Sequence, residues 1–101
     1  MDRGTNPLVI LKLHTDLDLE YVEECRVVVS SEQETHKIAY SNVTIDSENK
    51  TASFQMTQED TLSFYSGNVK IQLRLKFQNG SVKASKIVMA NMNDCLEDVV
   101  I

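Results

Sequence analysis

Val69-Lys70-Ile71-Gln72-Leu73-Arg74-Leu75-Lys76-Phe77-Gln78, followed at once by Asn79-Gly80 and then by Ser81-Val82-Lys83-Ala84, is the stretch on which the fold turns. Apolar and polar residues alternate without a break up to Gln78, the period of a strand with one buried and one wet face. Asn-Gly is the strongest short hairpin signal, because a two-residue type I′ turn needs positive φ at both positions. The pattern predicts one long hairpin over Asn68 to Ala90, with Phe77 facing Val82 and Leu75 facing Ala84. Strict continuation would set Lys86 opposite Leu73. A bulge near Ser85 or Lys86 is therefore expected, its extra residue returning Ile87 and Met89 to the buried side. The wet face then carries Lys70, Arg74, Lys76 and Lys83, with Lys86 near the bulge.

Upstream, Thr57-Gln58-Glu59-Asp60 reads as a helix cap with an acid at the third position, opening one or two turns in which Leu62 and Tyr65 pack and which Ser66-Gly67 stops. Before it lie strands with Ala52, Phe54 and Met56 on one face, then Val43 and Ile45, then Ile38 and Tyr40 within His36 to Tyr40, then Cys25, Val27 and Val29. Leu8 to His14, behind Pro7, is apolar enough for a strand covered on both sides. The acidic Asp16 to Glu24 segment reads as a crossover between sheets, with Leu17, Leu19, Tyr21 and Val22 tucking inward. Short strands at spacings of about ten residues, with only one brief helix, predict an all-β chain: a single β-sandwich domain over residues 1–101, of about seven strands. Downstream, Asn93 to Ile101 sets Leu96, Val99, Val100 and Ile101 among acids, as a short turn that docks or an arm that pairs with a neighbour.

The 101 residues suffice for one core without metal or disulfide staples. No apolar run approaches the length of a membrane span, and the opening Met1-Asp2-Arg3 lacks the pattern of a secretory signal, so synthesis in the cytoplasm and no membrane partner are expected. Charge is divided sharply. Thr61 to Asn93 holds five of the ten basic residues and none of the fifteen acids, which leaves five basic against fifteen acidic residues, net -10, in the remainder. Such a division marks either a basic patch for an anionic partner or a wet sheet face balanced elsewhere in the molecule. Nucleic acid is not expected as a partner, since the acidic remainder would repel phosphate.

Signatures of chemistry fail one by one. Asp16, Asp18 and Glu20 resemble the opening of a calcium loop, but the required glycine and bidentate glutamate positions hold Tyr21 and Val27. His14, His36 and two isolated cysteines lack zinc spacing, so neither metal nor cofactor is expected. Cys25 in a valine-rich strand reads as a small buried hydrophobe, although a Cys25 to Cys95 disulfide is open. A catalytic arrangement would need His14 or His36 within reach of Cys25 or a carboxylate in a cleft. Asn42-Val43-Thr44, Asn49-Lys50-Thr51 and Asn79-Gly80-Ser81 match the glycosylation sequon, which chance and the turn explain without secretion.

Met56-Thr57-Gln58-Glu59-Asp60-Thr61-Leu62-Ser63-Phe64, then Gly67, the Val69 to Arg74 strand, Asn79-Gly80 and Ala84-Ser85 together resemble the small immunoglobulin-like proteins encoded among structural genes of tailed phages and prophages of Gram-positive bacteria. The stretch is similar to the N-terminal sandwich domain of baseplate upper proteins. The resemblance covers roughly the second half of the chain. It implies an immunoglobulin-like sandwich that is a non-catalytic virion component of tail or baseplate, docking to copies of itself or to other phage structural proteins. On that reading Lys70, Arg74, Lys76 and Lys83 meet an acidic neighbour, and Val99, Val100 and Ile101 add to a partner. The other reading is a monomeric module that takes a glycan or small anion on the same basic face.

Overall fold

In the computed structural model, which describes residues 1–101, the chain forms eight strands. They are β1 (Leu8–Lys12), β2 (Val22–Ser31), β3 (Lys37–Tyr40), β4 (Thr44–Asp46), β5 (Thr51–Gln55), β6 (Gly67–Phe77), β7 (Val82–Ala84) and β8 (Val88–Met92). A 3-10 turn at Leu19–Tyr21 and one short helix, α1 (Gln58–Ser63), complete the elements. All pairings between these strands are antiparallel, and they make two sheets, β1-β5-β4 and β3-β2-β6, with β7 and β8 sharing the far edge of β6. One core lies between the sheets. Val27, Val29, Val69, Ile71 and Leu73 enter it from the larger sheet and Ala52 and Phe54 from the smaller. The molecule is an all-β sandwich, and no helix in it is long and apolar enough to cross a membrane.

β6 is the central strand because its alternation is unbroken: Val69, Ile71, Leu73, Leu75 and Phe77 are all buried. The hairpin after it is not the one expected. Gly80 N–H donates to the Phe77 carbonyl and Phe77 N–H to the Ser81 carbonyl, both at 2.9 Å, enclosing three loop residues rather than two. Gly80 has φ +88 and Asn79 keeps an ordinary negative φ, the arrangement of a type I turn closed by a left-handed glycine. The Asn79 side chain accepts from both the amide and the hydroxyl of Ser81, at 2.9 and 2.8 Å, which favours this turn.

That added loop residue moves the register by one. Leu75 pairs with Lys83 and Lys76 with Val82, so Lys83 lies on the inner side of the sheet and Val82 on the outer. A bulge does follow at Ser85–Ile87, after which Ile71 pairs with Val88 and Lys70 with Met89. Val88, Ala90 and Met92 consequently take the inner positions. Ile87 and Met89, expected inside, are 52% and 49% exposed. Ser85 ties the break together: its amide donates to the Leu73 carbonyl at 2.8 Å, and its hydroxyl accepts from the Leu73 amide at 3.0 Å.

The cap of α1 forms as its sequence predicts, with Thr57 accepting from the Asp60 amide and the Asp60 carboxylate accepting from the Thr57 amide. Past Ser63 the backbone turns extended at Phe64. Alternation then buries Phe64 and leaves Tyr65 91% exposed rather than packed. β1 is covered on one face only: Val9 and Leu11 pack on the core while Leu8 and Ile10 stand exposed, since nothing lies over the outer side of the small sheet. The acidic segment crosses between the sheets as expected, but only Leu19 is buried there, with Val22 half-buried, and Leu17 and Tyr21 are exposed. Its Asp18 caps the 3-10 turn by accepting from the Glu20 amide at 3.1 Å.

Candidate functional site

The outward face of the larger sheet carries the concentration of charge. Alternation points Lys70, Gln72, Arg74 and Lys76 of β6 away from the core. β2 sets Ser30, Val28, Arg26 and Glu24 beside them in that order, and β3 places Lys37 beside Ser30 and Ala39 beside Val28. On the other flank stand Met89, Ala84 and Val82. The face thus presents Arg26, Lys37, Lys70, Arg74 and Lys76 against the single acid Glu24. None of the five cations makes an ion pair, both ion pairs in the molecule belonging to Arg3. Arg26 and Arg74 are direct cross-strand partners, a like-charge pairing that disfavours the isolated sheet.

Three of the four basic residues singled out from sequence share this face: Lys70, Arg74 and Lys76. Lys83 does not, because the one-residue change in register turns it to the opposite side beside Leu75. Arg26 and Lys37 were missed. They lie in the acid-rich part of the chain, where the count of charge along the sequence hid them. The alternation Cys25-Arg26-Val27 was the signal that could have found the first.

The tail is anchored on the chain's own surface by a residue that sequence reasoning passed over. Arg3 is buried, and its guanidinium donates to Asp94 at 3.0 Å, to Asp98 at 2.9 Å and to the carbonyls of Phe64 and Leu62 at 2.6 and 3.1 Å. One cation thereby ties the N-terminal segment, the carbonyls at the end of α1 and the tail. Gln58 exchanges two hydrogen bonds with the Ile101 backbone, at 3.1 and 2.8 Å. Leu96, Val99, Val100 and Ile101 nevertheless remain exposed, so the tail docks without hiding its apolar side chains.

His36 and Cys25 occupy structural positions, while His14 is exposed. His36 Nε2 lies 2.8 Å from the Ser63 hydroxyl, with its ring on Phe64 at a centroid distance of 4.7 Å. Ser63 gives its own proton to the Asp60 carbonyl, so the imidazole acts as donor and the serine is not activated toward attack. Tyr40 donates to Asp60 at 2.9 Å, and burial, reinforced by that bond, holds its hydroxyl far above the ordinary tyrosine range. Cys25 and Cys95 are free thiols, and burial pushes Cys25 up to about 11. No three histidine, cysteine or acidic side chains converge on a point where a metal ion could sit.

No family model matches the chain, and no curated protein matches it in sequence.

Proposed function

We propose that this chain is a non-catalytic structural or adaptor component of a phage or prophage particle, of the tail or baseplate, acting by docking to neighbouring proteins. The particle rests on the resemblance of the Met56 to Ser85 stretch. The docking rests on one observation, the five cations without ion pairs on the outward sheet face. An acidic neighbour relieves the Arg26 to Arg74 repulsion and steers its own approach. Val82 and Met89, 50% and 49% exposed on the same side, add apolar contact beside the charge, a mixture suited to a protein surface.

The test is incorporation. Particles produced by the genome that encodes the chain should contain it in fixed stoichiometry. A chain carrying Arg26→Glu with Arg74→Glu, folded by its circular dichroism, should enter them at least tenfold less. Particles without the chain, or equal incorporation of the variant, would contradict the proposal.

A further inference from the structure

The sandwich is open along one side. β1 and β7 are edge strands of the two sheets, and a hollow of about 520 Å³ between β7 and the residues that follow β1 is lined by Leu13, Leu73 and Leu75 and by Lys12, Lys83 and Lys86. A second hollow of about 410 Å³ shares Leu17 and Lys83 with it and continues toward Tyr21. The register causes the opening, since Lys83 holds the inward position beside Leu75 that an apolar residue would otherwise close. No acid lines the larger hollow. Ser81 and Ser85 bond to β6, so by antiparallel alternation the amides and carbonyls of Val82 and Ala84 point away from it. An occupant that matches this groove brings apolar side chains, negative charge and extended backbone.

The chain itself carries such a segment. Residues 94–101 belong to no strand, and Leu96, Val99, Val100 and Ile101 are exposed. Asp94, Glu97 and Asp98 lie among them, opposed only by Arg3. The segment cannot fill the groove of its own molecule. Val100 sits beside Asn6 and Gln55, next to the start of β1, whereas the groove lies past Lys12, about 20 Å of extended strand away. Asp98 is held at Arg3, and the three residues beyond it reach about 10 Å.

We infer that the Leu96–Ile101 segment of one copy adds to the free edge of β7 in the next copy, seating its apolar side chains in the groove between β7 and the residues that follow β1, under the three lysines. This deepens the docking reading by naming a second copy as partner, and it uses a surface separate from the basic sheet face. Donor and acceptor are different surfaces of one molecule, so two copies can exchange segments reciprocally or successive copies can join head-to-tail into a ring or a filament.

Two double variants divide the contact: Val99→Asp with Val100→Asp disables the donor, and Lys83→Glu with Lys86→Glu inverts the groove. All four residues are exposed, and thermal melts check that each variant folds. Light scattering on the full chain at rising concentration should show wild type growing beyond a monomer and each variant losing at least tenfold in self-affinity. An equimolar mixture of the two variants should stop at a 1:1 dimer, because one intact segment meets one intact groove. A wild type that stays monomeric at millimolar concentration, or a mixture that stays monomeric, would overturn the inference. Arg26→Glu with Arg74→Glu should leave self-association unchanged. Its loss in that variant alone would reject the groove while keeping the docking face.

Discussion

Single residues in this protein do structural work with groups that elsewhere do chemistry. Arg3 uses its charge to gather two carboxylates and two backbone carbonyls, and Ser85 uses its hydroxyl as a substitute for a missing ladder partner. The ionisation of Cys25 bears on stability. Burial raises its thiol from the ordinary 9.0 to about 11, so between those values the native state holds a proton that the unfolded chain has released. Stability from this source is complete below pH 9 and falls as pH rises toward 11. The loss amounts to about 2 kcal/mol at the upper end. Urea unfolding of wild type and Cys25→Ala at pH 7, 9 and 11 should show the variant with the flatter alkaline decline. Parallel profiles would mean that the thiol titrates alike in both states.

At the scale of elements, the main hairpin shows what was legible and what was not. The existence of β6, its inward residues, the bulge and the α1 cap were all readable, because each is set by local alternation or local capping. The register was not. Asn-Gly fits a two-residue turn and a three-residue turn closed by glycine almost equally in sequence, and the choice moves every later side chain to the other face. That one choice took Lys83 off the basic face and Met89 out of the core. Arg26 and Lys37 were hidden for a different reason, since strands distant in sequence bring them beside Lys70 and Arg74. The Ser85 link gives the element a direct test. Ser85→Ala leaves the Leu73 amide without its partner and should cost about 1 to 2 kcal/mol in urea unfolding. Lys86→Ala, one residue on and exposed, should cost under about 0.5 kcal/mol. Equal effects would mean that the hydroxyl does not hold the bulge.

Across the whole molecule, extents of 46 × 26 × 19 Å describe an elongated sandwich. On the proposed reading the outward sheet face would offer its unpaired cations to an acidic partner, and the groove and the tail would offer each other to further copies. Net charge is -5, so the basic face is a local exception on an acidic body and favours an oriented approach. Docking on this face is tested most directly by labelling lysines with an amine-reactive reagent, in the isolated chain and in intact particles. Lys37, Lys70 and Lys76 should react at least fivefold less in the particle, with Lys50, which donates to the Thr15 carbonyl within its own chain, unchanged as the reference. Equal labelling of the three in both states would show the face open to solvent in the particle and would contradict docking through it.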